Sequence, residues 1–386
     1  MHSIVKHLSK RIRLTNVARL LAFLAIMLLA GRVGVQAMVQ TGQENHSELV
    51  SNAAGRVNDE NSQHPGSFST PDLTETILIP LLHLDPTPTI TPSPTATPIP
   101  QPNWLAYLNR FRTTTGLLSL VENEVWSDGD WLHSRYMVKN DYVGHSEDSG
   151  NPWYTPDGYA AAQNGNVFVT SQMNAAEEYP ISFWMTAPFH AISMIDPQLQ
   201  AAGFGIYSED TGYWRTGSTL DVRRGIGPLP PGTSYPIAYP ADGESTWLTA
   251  YYGGEFPDPL TSCPGYSPPT GPPLMLQLGS GDITPQVIGH SLMADGIPQE
   301  SCLYDETSYF NPDSSMQWTG RIVLNNRDAI VIMPRYPLVE GTIYSVSITT
   351  SNSTVTWSFS VDTSFYDGRD LDSSTFQIGP SAPPGE

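Results

Sequence analysis

The sequence predicts an α+β domain followed by an all-β immunoglobulin-like sandwich, on three observations. Apolar residues recur at helical spacing from residue 103 to the first Pro after FWMTA. Two strand-like runs joined by a turn follow, and from about Cys263 the chain reads as short strands bounded by Gly, Pro, Asn or Asp.

The N-terminus sets the expected compartment. Lys6, Lys10, Arg11, Arg13 and Arg19 precede the apolar run LLAFLAIMLLAG, and the small residues of VQA end at Ala37. A basic stretch, an apolar run of about a dozen residues and small residues at the cleavage positions predict a secretory signal peptide over 1–37. The run is shorter than the ~20 residues of a membrane-spanning helix. Left uncleaved, it would be the chain's one membrane anchor. Six of the 18 Lys+Arg lie in 1–37, leaving 12 to face all 38 Asp+Glu. A surface of that sign repels phosphate backbones and argues against a nucleic-acid partner. With just two cysteines, Cys263 and Cys302 are expected to form one disulfide in an oxidising compartment.

Residues 38–84 are polar and aperiodic, so they are expected to be mostly disordered. Alternating Pro and Thr in DPTPTITPSPTATPIPQP makes 85–102 a semi-rigid extended spacer. NWLAYLNRFRTTTGL predicts a helix through Trp104, Leu105, Leu108 and Phe111, stopped by Gly116. In ENEVWSDGDWLHSRYMVKN, Val125, Gly129, Leu132 and Tyr136 form a second helical stripe with Trp126, His133 and Met137 on its shoulder. DYVGHSEDSGNPWYTPDGY reads as a loop. AAEEYPISFWMTAP predicts a third helix that Pro188 ends, with His190 carried beyond it. AAGFGIYSED and YWRTGSTLDV predict two strands, completing a domain at 103–226. Residues 227–262, dense in Pro, Gly and Tyr, read as an ordered connector. LMLQL, RIVLN, DAIVIMP, TIYSVSITT and TVTWSFSVD predict the sandwich at 263–365, before a disordered tail at 366–386.

Five stretches in order, LNRFRTTTGLLSLVEN, HSRYM, GHSE, FWMTAPFHAISMIDP and AAGFGIY, resemble the CAP superfamily of cysteine-rich secretory, antigen 5 and pathogenesis-related proteins, its bacterial SCP-like branch above all. The resemblance covers about 103–226. It implies an α-β-α sandwich with a shallow cleft in which many members place two His and two Glu around a divalent ion. His145 in GHSE matches the first family histidine and His190 the second. Gly165 falls where the first Glu would stand, beside a retained Asn166, and Ala187 falls at the second. The resemblance leaves two readings of His145 and His190: a weak zinc or other divalent-cation site, with Glu178, Glu147 or Asp148 as the third-ligand candidates, or polar contacts lining the cleft beside Asn166 and Trp184. A carboxylate at Glu178 would equally suit a helix N-terminus. His133 is expected to be a half-buried packing residue.

No G-x-S-x-G elbow or H-E-x-x-H helix is present, and no catalytic residue is assigned. The expected function is that of an exported, non-catalytic CAP-domain protein, binding or positioning at the envelope or in the extracellular space. Its partner would be a glycan, lipid or protein. Two alternatives stand beside it. One is a divalent-metal-dependent hydrolase of cell-wall or protein substrate. The other is a sterol- or lipid-binding protein with Trp153, Tyr154, Tyr159, Phe168 and Tyr179 along its groove, a set that aromatic packing inside a small domain accounts for more simply.

Overall fold

The structure, a computed structural model, describes residues 102–365. The expected leader, the disordered segment, the tail and all but the last residue of the Pro/Thr spacer lie outside the described residues.

Helix α1 (Asn103–Thr114) buries Trp104, Leu105, Leu108 and Phe111 on one face. The same face carries Arg112, 1% exposed, whose guanidinium donates to the carbonyls of Met194 (2.7 Å), Asp196 (2.9 Å) and Leu199 (2.9 Å). A short strand β1 (Val121–Glu122) leads to α2 (Glu124–Lys139), capped by Asn123, whose side chain accepts from Trp126 N. The buried face of α2 keeps Gly129 and Tyr136 of the expected stripe and turns away from Val125. Val125 is 74% exposed, whereas Asp130, His133, Ser134 and Met137 are buried. The cause is packing on two sides. Ser134 Oγ donates to Gly205 O in the sheet, while Gly129 approaches Asp157 on the next helix so closely that its added Cβ would lie 3.0 Å from Asp157 O.

That next helix, α3 (Pro156–Asn164), begins inside the stretch read as loop. Thr155 caps it, accepting from Gly158 N at 3.0 Å, and Pro156 occupies its first turn, where a missing N–H costs nothing. Strand β2 (Gly165–Thr170) follows. After it, α4 (Glu178–Thr186) and α5 (Pro188–Met194) are separate helices. Pro188 therefore ends one helix and starts another, a correction to the expected run past the end. It has no N–H to donate, which suits a first helical position as well as it forbids an interior one.

Strands β3 (Ala201–Ala202), β4 (Phe204–Ser208) and β5 (Thr216–Asp221) follow. The antiparallel sheet runs β2-β5-β4, and β1 pairs with β3 beside it. Alternation along β2 shows the layering. Phe168 packs with Phe183 and Trp184 toward α1, α4 and α5, while Val167 and Val169 pack with Met137 of α2 and with Trp214. The first domain is thus helix, sheet, helix.

Two further sheets form a sandwich. Its strands are β6 (Ile237–Tyr239), β7 (Ser245–Thr246), β8 (Leu274–Gln277), β9 (Val287–Ala294), β10 (Ile297–Pro298), β11 (Ser301–Asp305), β12 (Ala329–Pro334), β13 (Ile343–Thr350) and β14 (Thr354–Val361). One sheet is ordered β10-β9-β13-β14-β7 and the other β11-β12-β8-β6. The residues read as connector thus give an edge strand to each sheet. The region is also not all-β: RIVLN belongs to helix α6 (Ser314–Asn325), capped by the Asp313 carboxylate on Ser315 N and Met316 N. Leu274, Leu276, Ile330 and Ile332 face Val346, Ile348, Trp357 and Phe359 across the sandwich.

The opposite face of the β11-β12-β8-β6 sheet carries Met275, Val331, Met333 and Tyr304, which join the same apolar core as α1, α4 and α5. Phe189 of α5 meets Tyr309 edge-on with ring centroids 4.9 Å apart, and Phe111 meets Trp247 at 4.5 Å. Polar links cross the same junction. Gln277 Nε2 donates to Ile195 O at 2.9 Å, and Arg327 pairs with Asp196 at 2.9 Å. Cys263 and Cys302 form the expected disulfide, with Cα atoms 5.6 Å apart.

Candidate functional site

His145 stands in the loop between α2 and α3. Its Nδ1 lies 3.0 Å from Ala162 O on α3. A carbonyl can only accept, so Nδ1 carries the proton and Nε2 keeps its lone pair. Gln163 Nε2 donates to the His145 carbonyl, holding the loop against the same helix. The residue is exposed. Desolvation of the ring, and after it the neighbouring His190, pushes its pKa below the ordinary value, so it is neutral near pH 7.

His190 is the third residue of α5, its side chain 13% exposed. Its ring Nδ1 lies 3.0 Å from Oε1 of Glu255, a fully buried carboxyl in the segment read as connector. The same oxygen accepts from Phe189 N at 2.7 Å and His190 N at 3.0 Å. Placed there, it satisfies first-turn N–H groups at the end of the helix that favours negative charge. Glu255 N in turn reaches Tyr251 Oη at 3.4 Å. Burial pushes the imidazole down to about 4. Burial also raises the carboxyl well above the usual range, against the pull of the two backbone N–H donors. Both groups are thus driven toward their neutral forms. Glu255 Oε2 and Tyr304 Oη are buried without a hydrogen-bond partner.

Asn166 on β2 is 6% exposed and fastens α5 rather than facing ligand. Its Nδ2 donates to His190 O at 3.4 Å, and Ser193 Oγ donates to that carbonyl at 2.6 Å. Trp184, expected to line the cleft, is fully buried, with Nε1 donating to Val167 O at 3.1 Å. An indole on the inner face of α4 has nowhere else to go. Of the aromatic set expected along a groove, Phe168 and Tyr179 belong to the core. Arg135 and Lys139 lie over the Trp153 ring, at 5.4 and 4.6 Å from its centroid.

His133 is not half-buried but wholly so. Its Nδ1 meets Glu147 Oε1 at 2.9 Å and its Nε2 meets Gly144 O at 2.9 Å, while Glu147 Oε2 accepts from Thr155 N at 3.1 Å. Glu147, a candidate ligand from sequence, is therefore committed to tying α2 to α3. Asp148, the other loop candidate, accepts from Gly150 N. Glu178 opens α4, and its neighbour Glu177 accepts from Trp104 N at 3.1 Å.

The donor set can be tested against a metal. Two imidazole nitrogens fall short of the four protein ligands of a closed zinc site and the three of a catalytic one. Among the described residues no group of three or more His, Cys, Asp or Glu is placed to hold an ion. His145 and His190 do not make a metal centre by themselves.

A three-stranded sheet between helical layers, with two neighbouring histidines on the α2–α3 loop and at the start of α5, defines the class of this domain. Residues 105–216 match the model of the cysteine-rich secretory protein family, CAP, so this part of the chain is a CAP domain. Among solved structures, one match is the 1.5 Å crystal structure of an extracellular protein containing an SCP domain from Bacillus anthracis str. Ames. It is 17% identical, with a TM-score of 0.25, over 31% of this chain and 39% of that one. The chain thus spans well under two thirds of that protein's length. A comparison with curated proteins gives no match. Glu255 lies outside the matched residues. Sequence reasoning missed it because it sits 65 residues from His190 with no motif around it. The one available signal was an acid in an apolar, Pro/Gly-rich stretch that contains no Lys or Arg.

Proposed function

We propose that the chain is an exported, non-catalytic binding protein. In this reading 1–37 is its leader, 85–102 holds the folded part off the cell surface, and the CAP cleft takes an envelope glycan beside an immunoglobulin-like sandwich. The observation that carries this reading is the state of the two imidazoles. Each has its Nδ1 3.0 Å from a fixed protein oxygen, and neither Nε2 is engaged by a protein donor among the described residues. The cleft therefore offers two neutral hydrogen-bond acceptors, which suits sugar hydroxyls and amide N–H groups.

A second reading is favoured by one contact. Glu255 behind His190 has the arrangement of an orienting carboxylate behind a general base, as hydrolases use it.

Co-sedimentation with purified cell-wall sacculi tests both. The binding reading expects the intact protein to pellet with sacculi, the His145→Ala/His190→Ala variant to stay in solution, and no soluble fragments to be released. Fragment release that depends on His190 supports the hydrolase instead, and equal pelleting of both proteins overturns the role of the cleft.

A further inference from the structure

We propose that Glu255 is a positioning residue for the histidine cleft: it sets the tautomer of His190, so the ligand recognised there is one that donates a hydrogen bond. The proposal rests on the cleft reading above and narrows its ligand class.

The hydrogen-bond pattern fixes the proton. Oε1 of Glu255 already accepts from two backbone N–H groups, at 2.7 and 3.0 Å, and is the atom facing His190 Nδ1. An oxygen accepting two such bonds is a poor place for a hydroxyl proton, so the hydrogen between Glu255 and His190 sits on Nδ1. This placement of the proton holds whether or not Oε2 is protonated. Nε2 of His190 is then an acceptor. His145 reaches the same state by another route, through Ala162 O. Had Nε2 of His190 carried the proton, the cleft would present one donor and one acceptor, and a different ligand chemistry would fit.

The carboxyl is held for this work by residues that have no other business in the CAP domain. Glu255 is 2% exposed, its N–H reaches Tyr251, and Tyr304 on β11 stands close enough that Glu255 is its leading charged neighbour. The segment after the CAP domain and one sheet of the sandwich thus build the wall behind His190.

Histidine-selective 15N labelling of the full chain reads the ring tautomers directly, without any ligand. The proposal expects both His145 and His190 as Nδ1–H. Glu255→Gln, whose amide oxygen still accepts, keeps the pattern. Glu255→Leu moves His190 toward Nε2–H, leaves His145 unchanged, and weakens sacculus binding about tenfold, the cost of one lost acceptor. An Nε2–H tautomer at His190 in the unsubstituted protein overturns the proposal even if Glu255→Leu fails to fold. An unchanged His190 in a folded Glu255→Leu protein also overturns it. Correct tautomers with no sacculus binding in any variant leave the positioning role standing and remove the glycan reading.

Discussion

Asp130 shows how strongly single residues of α2 are constrained. It is fully buried beside Asp221 and Arg224, and neither carboxylate oxygen finds a hydrogen-bond partner. Burial, with the Asp221 charge second, raises its pKa well above the ordinary 3.8. An acid raised in the folded state contributes stability below its unfolded value and loses it as pH climbs toward the folded one. Asp130→Asn is therefore expected to be more stable than the parent at pH 7, by about 1–3 kcal/mol, with the two urea midpoints converging near pH 4. Parallel midpoints from pH 4 to pH 8 would contradict this. His133 is held by a buried pair instead. Glu147→Ala leaves one of its ring nitrogens unpartnered and is expected to cost about 1–3 kcal/mol, read from equilibrium unfolding. His133 and Glu147 were both visible in the sequence. Their pairing was not, because it joins a helix to a loop through one turn of chain that carries no periodic signal.

The elements found by periodicity were those with one apolar face, such as α1 and strands β13 and β14 of the sandwich. Those missed were set by other means. Helix α3 has little apolar content, and its start is written in Thr155 and Pro156 instead. Helix α6 shares with a strand the short apolar run RIVLN, which periodicity alone cannot divide between the two. Helix α5 starts at a Pro that was read as a stop. The seat of α2 on the sheet depends on an absent side chain. A Cβ at Gly205 would lie 1.9 Å from Trp131 N and 2.4 Å from Asp130 C, both backbone atoms that cannot yield without moving the helix. Gly205→Ala is expected to destabilise the protein by about 3 kcal/mol or more, seen as a lower Tm, since overpacking against backbone has no rotamer to absorb it. A Tm within a degree of the parent would place the helix farther from the sheet than described.

At the scale of the whole molecule, the sequence divides the chain by composition into a domain, a connector and a sandwich. Helices α1, α2 and α4 and the strand-rich second half were legible, and so was the disulfide, whereas β2, β6, β7, β9, β10 and β11 were not. The shared core was not: Met275, Val331 and Met333 alternate with Leu274, Leu276, Ile330 and Ile332, so strands β8 and β12 are apolar on both faces. In a sequence that pattern says only that both sides are covered, not by what. The described residues fall within one compact unit. His190 belongs to the CAP match and Glu255 does not, so the His190–Glu255 contact requires the junction to stay closed. Differential scanning calorimetry of the full chain tests this most directly. One two-state endotherm is expected, with calorimetric and van't Hoff enthalpies in agreement and the His190 Nδ1–H signal lost in that same transition. Two separable endotherms, with His190 keeping its Nδ1 proton after the sandwich has melted, would contradict the account.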